Sequence, residues 1–312
     1  RAIMPLGAPS AREPLARIAA ADGDKRLRVA ATIALAAIGD GGAARPGAVR
    51  DGLQGLLADP APVIQYAALQ ALERLGQAEA AEPIAAYAAP RTQWLQDVPG
   101  AALVDDAHDS IERLTLAEAA LRAINRLDPG VGTARQAEAA GRKTLPDHGD
   151  DRLEVAAALY RVRRAALYGL GYATDEAAAR AGQILAGPDG LGDPDPRLRS
   201  VAARSIGVLG REDATRTLLT LLDDPAPEVR WTAARTLGLL GNPAAAEPLI
   251  ALFGDGDSRV RAAAATALAD LGALQAIPAL AQRAAIEERP PAQRAAQSAV
   301  DRLREAKAKT GN

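Results

Sequence analysis

The chain has 312 residues, 48% of them hydrophobic and 24% charged, a balance that excludes a disordered polymer and fits one elongated domain or two compact ones. Its formal charge of −2 removes the broad positive field of a nucleic-acid binder, and the absence of Cys excludes disulfides, thiolate nucleophiles and thiolate metal ligands. No apolar run approaches the ~20 residues of a membrane-spanning helix, and aromatics at 3% leave Ala, Leu, Ile and Val to build the core.

The chain opens on Leu6-Gly7-Ala8-Pro9, followed by Glu13-Pro14-Leu15, which lines up with Leu240-Gly241-Asn242-Pro243 and Glu247-Pro248-Leu249. It starts partway through a repeated unit, so at least the first helix of a hairpin is expected ahead of Arg1. Arg28 to Gly39 and Gln65 to Gly76 each cover one eleven-residue step, with Asp22 and Asp59 six residues before Arg28 and Gln65. Between 90 and 192 the pattern degenerates around helices expected at 110–127 and 151–170. Longer connections are expected at 90–109, 141–150 and 187–195.

Regularity returns in the C-terminal part. Arg199, Arg230 and Arg261 are spaced 31 residues apart, as are Gly210, Gly241 and Gly272, and Asp193, Asp224 and Asp255. A fixed period of this length means stacked supersecondary units. Within a unit Val229, Ala233, Leu237 and Leu240 fall on one helical face. Gly241, free of a Cβ, closes the helix in the left-handed region. A second helix follows, its first turn marked by Pro14, Pro83, Pro248 or Pro278, where the missing N–H has no intrahelical acceptor. Asp24, Asp195 and Asp257, or Ala61-Pro62 and Ala226-Pro227, then open the next unit. Each unit is a helical hairpin, and a helix near 291–308 with Arg302, Arg304, Lys307 and Lys309 reads as a polar C-terminal cap.

At Asp224-Pro225, Val229-Arg230, Ala233-Ala234, Leu240-Gly241 and Pro248-Leu249 the sequence resembles the short bacterial form of the HEAT-like repeat family. The resemblance is strong over 193–285, good over 6–89 and poor over 90–190. It implies an all-α fold: a single α-solenoid over 1–312, N-terminally incomplete, winding into a right-handed superhelix with second helices lining the concave surface. It also implies a protein-interaction scaffold more readily than an enzyme, since the repeat signature specifies packing and carries no chemistry. Bilin lyases share the repeat type, which keeps open a bilin-lyase-like enzyme or chaperone acting on a cofactor-bearing protein, but no chromophore motif is present. The related di-iron hydroxylase needs His-Glu pairs, and there are none. A DNA glycosylase on this scaffold needs a cationic face, which 37 basic against 39 acidic residues disfavour.

The two histidines stand in acidic surroundings, and His108, Asp109, His148 and Asp150 are the candidate metal ligands. Their spacing is not diagnostic, and Asp before a helix is equally an N-cap. No Gly-x-Ser-x-Gly elbow and no phosphate loop occur, so no catalytic or cofactor-binding residue is assigned and no cofactor is expected. The recurring Arg, with the Asp six residues earlier, is read as a ladder of charge-assisted hydrogen bonds fixing how hairpins stack. Candidate partner contacts are Trp231 and Tyr66, off the apolar stripe; Trp94 in the central insertion at 90–110; and Arg17, Arg216, Thr220 and Arg283 on second helices. The expectation is a soluble bacterial scaffold or assembly factor that binds protein and neither nucleic acid nor membrane, cytoplasmic in preference to periplasmic.

Overall fold

The computed structural model describes residues 9–39, 47–128, 130–141, 143–146, 151–210 and 214–310, and among these every regular element is helical and none is a strand. The helices are α1 Arg12–Ala21, α2 Lys25–Ile38, α3 Ala48–Gly55, α4 Pro62–Leu75, α5 Ala81–Asp97, α6 Gly100–Asp105, α7 Ala107–Leu127, α8 Thr133–Ala140 and α9 Arg152–Leu170. They continue with α10 Asp175–Ala186, α11 Pro196–Leu209, α12 Ala214–Thr220, α13 Pro227–Leu240, α14 Ala246–Ala251, α15 Ser258–Asp270, α16 Ile277–Ile286 and α17 Pro290–Thr310. The chain forms two compact units, Arg1–Gly169 and Leu170–Asn312.

The helix boundaries follow from local chemistry. Asp24, Asp195 and Asp257 cap α2, α11 and α15 by accepting the backbone N–H two residues on, at 2.8, 2.9 and 2.8 Å. Pro62, Pro196 and Pro227 take the first helical turn of α4, α11 and α13. Gly241 stops α13 at φ 70°, a left-handed conformation open to glycine at no steric cost. Short 3-10 turns, not expected from the sequence, precede α14 at Pro243–Ala245 and follow α12 and α14 at Leu221–Asp223 and Leu252–Gly254.

In the second unit α11, α13, α15 and α17 pack side by side in one row, and α12, α14 and α16 pack on that row. Val229, Leu237, Leu249, Val260, Leu268, Leu280 and Leu303 are buried between the two layers. Each such side chain contributes about 1.5–3 kcal/mol on leaving water. In the first unit α2 packs on α1 and α4, α4 on α7, and α5 on α7 and α8. Leu53, Ile64, Leu69, Leu72, Ile84 and Ile124 form its core. Each unit is a stack of helices in the manner of an α-solenoid.

The central segment departs from expectation. Residues 90–97 are not a loop: α5 runs through Pro90 to Asp97. Proline inside a helix orphans the carbonyl four residues back, but Ala86 and Pro90 both lie on the exposed face, where an unpaired carbonyl costs least. The buried stripe Ile84, Ala88, Thr92, Leu95 meanwhile continues past Pro90 at helical spacing. α6 and an early start to α7 fill most of 100–109, and α8 and α10 add two helices to the degenerate stretch. At the C-terminus α17 packs against both α15 and α16.

Candidate functional site

The recurring arginines build the frame of the site. Arg199 donates from Nε and Nη2 to the two carboxylate oxygens of Asp224 at 2.9 and 2.8 Å, and Arg230 does the same to Asp255 at 2.6 and 2.9 Å. Arg261 meets Glu287 twice at 2.7 Å, and in the first unit Arg28 is paired with Asp59. The third nitrogen of each C-terminal Arg reaches back to the carbonyl of its own repeat's Asp, at 2.7 Å for Asp193, 2.8 Å for Asp224 and 2.7 Å for Asp255. Each carboxylate also accepts a backbone N–H two residues on, as Asp224 does from Ala226 at 2.8 Å. The guanidinium thus ties one hairpin to the next with planar, two-pronged geometry that Lys cannot supply. Burial pushes the Asp255 carboxyl up, but the hydrogen bonds from Arg230 and from the Asp257 N–H outweigh it and hold the group below the usual carboxylate range. Arg199, Arg230 and Arg261 are each raised, chiefly by the hydrogen bond to their carboxylate.

With that side of α11 and α13 committed to the ladder, the opposite side of the long-helix row is exposed. A groove of about 370 Å³ lies between the two helices, lined by Ser200, Val201 and Arg204 from α11 and by Trp231, Thr232, Arg235, Thr236 and Leu239 from α13. Trp231 is 38% exposed and Leu239 75%, with Val208 at 46% on the neighbouring α11. The Arg235 guanidinium lies 5.6 Å from the Trp231 ring, within cation–π range. Thr232 and Thr236 spend their hydroxyls on the carbonyls of Glu228 and Thr232, both at 2.8 Å, so their contribution to the floor is apolar. Sequence reasoning singled out Trp231 but missed Arg204, Arg235, Val208 and Leu239. The signal was present: Arg204, Arg235 and Thr266 share one place in the 31-residue period, and Val208, Leu239 and Asp270 another.

A second groove, of about 310 Å³, lies in the first unit among α4, α5 and α7, and there the ladder changes form. Gln65 replaces Arg and donates to the Asp59 carbonyl at 2.6 Å, as the arginines do to theirs. Its own carbonyl oxygen accepts from the Tyr87 hydroxyl at 2.6 Å and from Arg91 at 3.0 Å, with Arg91 stacked 3.7 Å over the Tyr87 ring. Burial pushes the Tyr87 phenol up to about 12, opposed by Arg91 and reinforced by Glu112, and burial lowers Arg91. Trp94 is half-buried on this groove with Arg113 over its ring at 5.1 Å, and Asp109 is ion-paired to Arg113 at 2.6 Å.

The other candidates are dispersed. His108 is exposed on the first turn of α7, Asp109 is engaged by Arg113, and His148 and Asp150 lie outside the described residues. Among the described residues no three His, Cys, Asp or Glu side chains gather into a metal-holding group. Tyr66, at the Trp231 place of its own repeat, packs half-buried against the first unit's core. Arg17 is exposed on α1 and paired with Glu13 at 2.6 Å, and Arg216 and Thr220 are exposed on α12. Arg283 is drawn into the frame: it donates to the Phe253 carbonyl at 3.1 Å and to Glu287 at 2.6 and 2.9 Å.

Comparison with known proteins bears on the fold. No curated protein matches the sequence. Among solved structures, the chain is similar to one in a complex of Kap95 with Nup1, with 13% identity and a TM-score of 0.57 over 93% of this chain and 40% of that one. It is similar also to the karyopherin Kap121p bound to the extreme C-terminus of the phosphatase Cdc14p, with 13% identity and a TM-score of 0.53 over 95% of this chain and 34% of that one. The chain therefore spans well under half the length of either. Among the described residues no helix is long and apolar enough to cross a membrane. The family model for HEAT repeats matches residues 188–257 and 217–301, the stretch that holds the arginine ladder and the Trp231 groove. Residues 188–301 therefore carry HEAT repeats, and each of the two units is an all-helical stack of the α-solenoid kind.

Proposed function

We propose that this protein is a scaffold or assembly factor that holds a protein partner on the exposed side of α11 and α13. The observation that carries the reading is the pairing of Trp231 and Leu239, two large exposed apolar side chains set two turns apart on one helix face, over a groove that the described residues leave open. Exposed Trp beside Arg is the composition of an interface anchor, because it offers large rigid area at low entropic cost. A solenoid suits such a role, since each repeat is stabilised by its neighbours and its outward residues are free to specify a partner. The solved relatives include one complexed with Nup1 and one holding the C-terminus of Cdc14p, which supports protein as the ligand class. The central segment around Trp94 and Arg113 is a second surface of the same kind, with more of its charge paired internally.

The test is affinity capture with the full chain from the source organism, alongside Trp231→Ala and Leu239→Ser variants whose melting is checked first. A polypeptide retained by the parent and lost by both variants supports the reading. The same set retained by all three contradicts it.

A further inference from the structure

We infer that the side of α2 turned away from α4 is an interface, and that its occupant is one more hairpin of this repeat kind, carried by the same polypeptide ahead of α1, whose arginine reaches Asp22. The inference stands on the ladder of the first unit and does not depend on the Trp231 groove.

Four carboxylates of the ladder, Asp59, Asp224, Asp255 and Glu287, are held in one way. Each accepts the backbone N–H two residues on and a guanidinium from the hairpin before it. Asp22 is built alike: it stands six residues before Arg28 and accepts the Asp24 N–H at 2.8 Å. Among the described residues, however, no guanidinium or ammonium group pairs with it. Arg28 is spent elsewhere, on Asp59 and on the carbonyls of Ala19 and Ala20 at 2.9 and 3.2 Å. Asp22 is thus a ladder acceptor with its turn formed and its two-pronged donor still to come.

The apolar side of α2 says the same. Leu27, the residue before Arg28, is 53% exposed, whereas Ile64, Leu198, Val229 and Val260 at the same place in their repeats are exposed by 2% or less. Ala34, two turns on from Leu27 and on the same face, is half-buried, whereas Thr236 and Ala267 at its place are buried against Gly207 and Gly238 of the preceding long helix. A carboxylate awaiting a guanidinium, a large apolar side chain at a place that packing otherwise hides, and a small residue at the point of closest helix approach complement the donor side of a hairpin of this kind. In the four completed junctions the arginine lies 25 to 31 residues before its carboxylate in the sequence, which puts the donor to Asp22 ahead of α1 in the same polypeptide. A second copy stacked end to end does not supply it, because Gln293 stands six residues after Glu287, where the ladder would have Arg.

The experiment is photo-crosslinking of the natural protein in its source cell, with a benzophenone amino acid at Leu27 and the joined peptides mapped by mass spectrometry. The expected product keeps the mass of a single chain and joins α2 to a helix of the same polypeptide with an arginine 25 to 31 residues before Asp22. In the same protein Asp22→Arg is expected to lower the melting temperature by about 2–4 °C or more, and reversing the upstream arginine to Asp to restore at least half of that loss. A crosslink to a different polypeptide or to a second copy, no crosslink from position 27, or a charge reversal that its counterpart leaves unrescued would overturn the inference.

Discussion

Gly238 of α13 lies so close to Ala267 of α15 that a Cβ on the glycine would fall 2.7 Å from the alanine Cα. The same relationship recurs one period earlier, where a Cβ on Gly207 would fall 2.0 Å from the Thr236 methyl carbon. Both contacts join neighbouring long helices, and they set how closely the row that carries the groove can pack. Gly238→Val is expected to destabilise the protein by about 2 kcal/mol or more, despite the better helix propensity of Val, because backbone cannot move aside as a flexible side chain can. Urea denaturation of the two proteins measures this directly, and equal midpoints would show that the helices separate at little cost.

The ladder makes a second, separable contribution. Arg230 and Asp255 are mostly shielded, with side-chain exposures of 18% and 6%, and they share two short hydrogen bonds. Arg230→Met and Asp255→Asn are each expected to cost about 1–3 kcal/mol, since each leaves a partner unmatched. The double variant should cost less than the sum, with a coupling of about 1 kcal/mol or more from a double-mutant cycle. Additive losses would mean the pair acts only through packing.

Stability should fall in acid through the end of the ladder. The hydrogen bond from Arg261 holds the Glu287 carboxyl at about 2 against an ordinary 4.5, with the Arg289 N–H and Arg283 helping against burial. A carboxyl lowered on folding stabilises the native state above its unfolded value, and that contribution disappears as pH drops from about 4.5 toward 2. Melting temperature followed from pH 7 to 2.5 should therefore decline less steeply for Glu287→Gln than for the parent, starting from a lower value. Parallel curves would place the acid sensitivity elsewhere. Arg283→Ala, which removes a further donor to the same carboxylate and the bond to the Phe253 carbonyl, should likewise lose stability.

Trp231 and Tyr66 occupy the same place in their repeats yet should behave oppositely. Trp231 is exposed beside the groove, whereas Tyr66 packs against the first unit's buried Leu, Ile and Ala side chains. Trp231→Ala is expected to shift stability by no more than about 0.5–1 kcal/mol while abolishing partner capture, whereas Tyr66→Ala should cost about 2 kcal/mol or more. Thermal melts of the two variants decide it, and a large loss for Trp231→Ala would make it a packing residue.

The helical repeat was legible because its determinants are local. Asp at the N-cap, Pro in the first turn, Gly at the C-terminus and the Val229, Ala233, Leu237 stripe each dictate a helix without reference to distant residues. The ladder was readable for a related reason, since a paired Asp and Arg at fixed spacing leave few other uses for a half-buried guanidinium. Pro90 misled, because a proline reads as a break unless the orphaned carbonyl is known to face water, and that depends on how α5 docks. The groove was harder still. Trp231 stood out by size, but Arg204, Arg235 and Leu239 acquire meaning only when α11 and α13 lie side by side, and Arg283 resembled a free surface cation until Glu287 and the Phe253 carbonyl were placed beside it.

The most direct measurement is photo-crosslinking in the source cell, with a benzophenone amino acid placed at Leu239 on the groove or at Arg216 on α12 in otherwise intact protein. A discrete partner crosslinked from position 239 and absent from position 216 is the expected result. A partner crosslinked from 216 and none from 239 would contradict the assignment of the long-helix face as the binding surface.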